Sequence, residues 1–239
     1  MCSGVIAIKI ITAGNMDREI LQNLKKRGFD VIGTSPLESV LEPLKYHADM
    51  QIARFGGSAV IEPTLFDVYK DYFVGSKVRA VCGNTSLNGN YPGDVAYNIS
   101  AVGEVIFHKT SVTDSAVTDA ARDEKMIFAD VAQGYSGCSI CRIGTNAIIT
   151  ADVPIYHTAA AYGIEALLIS PGNIGLDGFD TGFIGGCSFL YNGTVYFFGS
   201  LRFHPDRELI TDFCRQCNTE ICELSEMPLT DYGSAVVIE

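Results

Sequence analysis

His47, Asp49, Asp94 and Cys138 are the residues whose types could do chemistry together. A cysteine attacks an electrophilic carbon as its thiolate, a histidine moves protons near neutral pH, and paired carboxylates grip a planar cation. Their positions follow a rule. Each acid or thiol stands three residues after a tyrosine, in Tyr46-His47-Ala48-Asp49, Tyr91-Pro92-Gly93-Asp94 and Tyr135-Ser136-Gly137-Cys138. Phe183-Ile184-Gly185-Gly186 repeats the pattern with glycine at the anchor. The spacing of roughly 45 residues lies in the range of repeat folds, so equivalent points of the units should meet about one axis. Two carboxylates and a thiol then share one slot, with His47 beside them. Gly134 and Gly137 before Cys138 allow a ligand to approach the backbone closely.

The elements that must position these side chains follow from periodicity and turn chemistry. The first unit, Val5 to Gly33, reads strand, helix, strand, with Asn15 capping the helix and Gly28 ending it. The second pairs Met50–Phe55 with Ser58–Ile61 across Gly56-Gly57, then has a short helix after Pro63 and a closing strand at Lys77–Val81. The third has Val95–Ile99, Glu104–Phe107, a helix over Asp114–Arg122 and a strand at Met126–Phe128. The fourth has Ser139–Ile143, Ala147–Thr150, a helix over Pro154–Tyr162 and Ala166–Ile169. The fifth has Ser188–Tyr191 and Thr194–Phe198 joined by Asn192-Gly193, a helix over Asp206–Cys217 and Ile221–Leu224. The first unit lacks a leading strand, while Ser234–Ile238 is left over at the other end. The expected fold is therefore an α/β propeller of five ββαβ units with pseudo-fivefold symmetry. It forms one domain over residues 1–239, closed into a ring by the C-terminal strand.

Composition excludes several classes of function. A net charge of −11 disfavours binding to a phosphate backbone, which needs a basic stripe, and suits a cationic ligand. No stretch is apolar enough to span a membrane, since Lys9 interrupts the N-terminal run Val5–Ile11. That run also lacks the basic start and small-residue cleavage site of a signal peptide, which leads to the expectation of a cytoplasmic protein. The eight cysteines then read as mostly reduced, buried small hydrophobes. Neither Cys138 with Cys141 nor Cys214 with Cys217 reads as a metal site. The first pair lies on an expected strand, where residues three apart face opposite ways, and the second beside core positions Ile210 and Phe213.

The fivefold plan, His-x-Asp at His47-Ala48-Asp49, Gly-Asp at Gly93-Asp94 and Gly-Cys at Gly137-Cys138 together resemble the pentein superfamily of guanidino-group-modifying enzymes. That superfamily includes arginine deiminases, dimethylarginine dimethylaminohydrolases and amidinotransferases. The segments His47–Ile52, Tyr91–Asn98 and Gly134–Ile140 are more closely similar to a group of short bacterial proteins assigned to this fold. The resemblance implies a hydrolase or transferase acting on a small guanidino or amidine compound through a covalent thiol intermediate. Cys138 would attack, His47 would relay protons, and Asp49 and Asp94 would bind the cation, without metal or organic cofactor. The glycine-rich segment Pro171–Asp180 would face the same mouth and present Asp177 and Asp180 to substrate. In family enzymes Gly-Asp precedes His-x-Asp and the cysteine lies near the C-terminus, so Cys187 in Gly185-Gly186-Cys187-Ser188 is the alternative nucleophile. A rival class is a pentein-fold binding protein without catalysis, for a small cation or for a macromolecular surface, since the fold also serves a ribosome-associated translation factor.

Overall fold

An antiparallel hairpin followed by a helical crossover to a parallel strand is the recurring local plan, and short connections between apolar strand pairs impose it. The computed structural model describes residues 8–239, so Val5–Ala7 of the expected first strand lie outside the described residues. Unit one has β1 (Ile8–Thr12), α1 (Arg18–Lys26) and β2 (Phe29–Gly33). Unit two has α2 (Ala48–Gln51), β3 (Ile52–Phe55), β4 (Ser58–Ile61), α3 (Phe66–Tyr69) and β5 (Arg79–Cys82). Unit three has β6 (Ser100–Val102), β7 (Val105–His108), α4 (Ser115–Asp123) and β8 (Ile127–Asp130). Unit four has α5 (Ser136–Ser139), β9 (Cys141–Ile143), β10 (Ala147–Thr150), α6 (Val153–Ala161) and β11 (Glu165–Leu168). Unit five has β12 (Ser188–Tyr191), β13 (Thr194–Phe197), α7 (Arg207–Gln216) and β14 (Glu220–Glu223), and β15 (Ala235–Ile238) follows.

These strands form five three-stranded sheets of one topology. In four of them a hairpin leads into a parallel third strand, as in β3–β4–β5. The remaining sheet is assembled from both ends of the chain: β15 runs antiparallel to β1, with Lys9 opposite Ile238, and β1 is parallel to β2. The middle strands β4, β7 and β10 are buried at every position, as the sheet's centre requires. Phe29 of β2 packs edge-on against Phe189, Tyr191 and Tyr196 at centroid distances of 5.2 to 5.6 Å, joining unit one to unit five. No helix among the described residues is long and apolar enough to cross a membrane.

Two kinds of local difference from the sequence reading have physical causes. The helix α1 is capped by Asp17, whose carboxylate accepts from Glu19 N–H at 2.7 Å, and not by Asn15. Three inner strands also start later than expected. Residues 48–51 and 136–139 are single helical turns and 95–99 is irregular, so β3, β6 and β9 begin at Ile52, Ser100 and Cys141. In the second unit the partner strand β4 ends at Ile61, and Glu62-Pro63 turns into a 3-10 helix, so the pairing closes with a last bond from Glu62 N–H to Gln51 O at 2.9 Å. The consequence is functional: the anchor residues sit on tight turns at one end of the inner strands, with neighbouring side chains free to point at a common centre.

Candidate functional site

Cys138 lies on the α5 turn, 2% exposed, and its thiol donates to Asp49 Oδ2 on the α2 turn at 3.0 Å. Asn98 clamps it from the third unit. The Asn98 amide nitrogen donates to Cys138 Sγ at 3.3 Å, while its carbonyl oxygen accepts from Cys138 N–H at 3.2 Å. His47, immediately before α2, places Nδ1 at 3.9 Å from Asp231 Oδ1, an ion pair when the imidazole is protonated and too long for a hydrogen bond. Asp231 is held by two backbone donors, Phe183 N–H at 2.9 Å and Gly233 N–H at 3.0 Å.

Glycines make this convergence possible. A Cβ on Gly186 would collide with the Asp231 carboxylate, and one on Gly233, whose φ is +71°, would collide with His47. The fifth unit's anchor is thus bare so that Asp231 can occupy its place, and Gly186 N–H bonds Cys138 O at 2.9 Å. Ser234 N–H bonds Gly186 O at 2.8 Å and Asp49 N–H bonds Gly233 O at 3.1 Å, so the segment before β15 is wedged between the units that carry the thiol and the acid.

Burial sets the electrostatics. It holds the Cys138 thiol well above its ordinary pKa, and the neighbouring Asp49 and Asp231 charges push the same way. Asp49 is raised by burial to about 6, against the opposing pull of His47. Asp231 is raised as well, again by burial, with His47 and its two backbone donors opposing. The resting pair is therefore a protonated thiol donating to a carboxylate. His47 Nδ1, Asp49 Oδ1 and Asp94 Oδ1 are buried and have no hydrogen-bond partner among the described residues, which leaves acceptor or donor capacity that a ligand could use.

The rise of Asp49 from 3.8 to about 6 has a stability consequence of roughly 3 kcal/mol. The folded chain keeps a proton that the unfolded chain has already released, so this contribution is full below about pH 4 and lost as pH rises through about 6. Asp49→Asn is expected to raise the Tm by about 5–10 °C at about pH 7.5, with the gain vanishing near pH 4. A variant that melts lower than the native chain at about pH 7.5 would show that the Asp49 charge is net stabilising.

Asp94 is fully buried but does not touch the thiol: it accepts a short hydrogen bond from the Tyr135 hydroxyl. Tyr135 lies between Tyr91 and Phe183, at centroid distances of 5.7 and 6.3 Å, so the aromatic residues of three successive anchors pack on one another. The third unit carries extra residues between anchor and strand, and Asn98 reaches the position that the sequence alignment gave to Asp94. Cys187 is apart from the cluster. It is completely buried in the apolar core of units four and five, where its thiol donates to Ile184 O at 3.2 Å. Asp177 is exposed and lines a cleft of about 340 Å³ that reaches His47 and Asp231, whereas Asp180 is exposed on the same loop and does not line it.

Asp231 and Asn98 are the site residues that sequence reasoning passed over. A signal for Asp231 existed. Because β15 is the leading strand of unit one, the residues just before it are that unit's anchor, although Pro228 and not an aromatic stands three residues before Asp231. Nothing in the sequence distinguishes Asn98 from an ordinary turn asparagine.

His47, Asp49 and Cys138 can each bring one donor atom within 4.8 Å of the others, so this trio could hold a borderline-soft ion such as zinc. The hydrogen bond between Cys138 and Asp49 would have to open, and the thiol would have to lose its proton.

A family model described as a family of unknown function (DUF6873) matches residues 11–236. No curated protein matches the sequence. Among solved structures, the chain is similar to dimethylarginine dimethylaminohydrolase from Pseudomonas aeruginosa, a mutant in complex with citrulline. The TM-score is 0.55 at 9% identity, covering 91% of each chain. It is similar to agmatine deiminase from C. jejuni, with a TM-score of 0.52 at 10% identity over 91% of this chain and 87% of that one. An amidinotransferase from Microseira wollei gives 0.50 at 11% identity over 91% and 88%. All are pentein enzymes, and the five sheets of this chain fit the pentein repeat.

Proposed function

We propose, for a chain that belongs to the family of unknown function DUF6873, a cysteine-dependent hydrolase or transferase acting on a small guanidino or amidine compound. The observation that carries this reading is the contact of the Cys138 thiol with Asp49, with His47 and Asp231 completing a buried cluster. The fold supports it: neighbours of this architecture are named for guanidino substrates, and one is complexed with citrulline, whose ureido group is what hydrolysis of a guanidino group leaves. The frame is a single five-unit ring, with β15 as the strand that closes it.

In the proposed mechanism a guanidinium enters among Asp49, Asp231 and Asp94, each a buried or hydrogen-bonded carboxylate suited to a planar cation. Its charge offsets theirs, which lowers the cost of ionising the thiol. The Cys138 proton passes to His47, directly or by way of Asp49, and the thiolate attacks the guanidinium carbon. The C–N bond to the departing nitrogen breaks as that nitrogen takes the proton from His47, releasing ammonia or an amine. A water molecule, or an acceptor amine in a transferase, then attacks the amidino carbon, and the C–S bond breaks to regenerate the thiol. Asp177 at the rim of the His47 cleft would meet a cationic substituent on the substrate, while Asp180 contributes to the attraction of the cation along the same loop.

Arginine, agmatine and N-methylated arginines form the test set, with release of ammonia or alkylamine as the readout. Turnover of one of them that survives chelating agents is expected. Turnover lost to a chelator and restored by zinc would assign the trio to a metal instead. Saturable binding with no product from any of them would make the protein a receptor for the cation.

A further inference from the structure

We propose that the cavity at the opposite end of the inner strands from Cys138 is a binding site for a small oxyanion, phosphate or carboxylate in kind. This cavity has a volume of about 660 Å³, which suits a metabolite. Each of the five inner strands contributes to it at one level, through Arg54, Ala101, Arg142, Leu190 and Val237. Small or apolar residues at three of these positions leave space, and arginines at the other two give it a charge opposite to that of the chain as a whole.

The two arginines differ in a way that separates a structural role from a free one. Arg54 is committed to backbone: Nε donates to Val237 O at 3.3 Å, and one terminal nitrogen donates to Gly56 O and to Ser58 O. Arg142 makes no ion pair or side-chain hydrogen bond among the described residues, although it is half-buried. Its neighbours Cys141 and Ile143 on β9 face the apolar core, so strand alternation turns Arg142 to the cavity. Burial lowers its pKa and the Arg54 charge lowers it further, as expected for two cations sharing a space. The nearby acids do not neutralise it. Glu124 is spent on Gly57 N–H and the Ser58 hydroxyl, and Glu239 lines the cavity without approaching either arginine within ion-pair distance. A guanidinium fork with unused donors, beside a second cation, is the arrangement that recognises a carboxylate or phosphate.

The probes are inorganic phosphate, pyrophosphate and citrate, each titrated calorimetrically at constant ionic strength, with Tm measured in parallel. Binding of at least one is expected, and Arg142→Gln and Arg142→Met should each weaken it at least tenfold. Both variants should melt no lower than the native chain in chloride alone, because Arg142 has no protein partner to lose. Arg215→Gln, on the exposed face of α7, should bind as the native chain does. Cys138→Ser should also bind normally, which keeps this result separate from the fate of the thiol chemistry. Anion effects equal to those of chloride, retained binding in both Arg142 variants, or a Tm loss in both of them would overturn the proposal.

Discussion

Cys138→Ser is expected to turn over a guanidino substrate at least about 1,000-fold more slowly than the native chain, while binding it within about threefold. The serine hydroxyl fills the same space and can still donate to Asp49, so the carboxylates that would hold the cation remain in place. What it lacks is an accessible ionised form. The cysteine is itself held protonated at rest by burial and by Asp49 and Asp231, and only a thiol can be brought within reach of ionisation by one bound positive charge. The companion variant Cys187→Ser decides between the two thiols of the Gly-Cys-Ser triplets. Cys187 is sealed in apolar core and bonded to Ile184 O, so its replacement should leave turnover intact and cost only stability. Loss of turnover in Cys187→Ser with activity kept in Cys138→Ser would reverse the assignment.

Deleting residues 233–239 is expected to abolish cooperative unfolding near room temperature. Strand β15 buries Ala235, Val236 and Ile238, and burying each larger side chain contributes roughly 1.5–3 kcal/mol. It is also the antiparallel partner of β1 over four residue pairs. Its backbone and the residues before it take hydrogen bonds from Asp49 N–H and Arg54 Nε in unit two, and Ser234 gives bonds to Gly186 O and Ser188 O in unit five. Three units therefore lose contacts at once, and the sum is comparable to the entire stability of a typical domain, about 5–15 kcal/mol. A truncated chain with the native melting transition, followed by circular dichroism, would contradict both this expectation and the proposal that β15 closes a ring.

Much of the plan was legible because hairpins and buried middle strands leave local signatures. Asn192-Gly193 marks the turn between β12 and β13, and the apolar run Ala147–Thr150 coincides with β10. The pairing of the chain's last strand with its first followed from counting strands per unit. The anchors were harder. Met50–Gln51, Val95–Ile99 and Ser139–Ile140 continue the strand pattern in sequence, yet the structure folds them as helical turns or irregular chain where the paired strands end. That difference delays the inner strands by two residues in units two and four and by five in unit three, where Asn98 and not Asp94 comes to lie beside the thiol. Asp49 and Cys138 were legible together because the tyrosine spacing placed them in equivalent slots, with His47 beside them. Asp231 was not, since its unit is split between the two ends of the chain.

The most direct measurement is the mass of the Cys138 peptide after rapid acid quenching of the protein with a compound that it turns over. The account predicts an added amidino-type fragment on Cys138, present during turnover, absent at its end and absent from Cys187. An unmodified Cys138 throughout rapid turnover, or the fragment on any other residue, would contradict it.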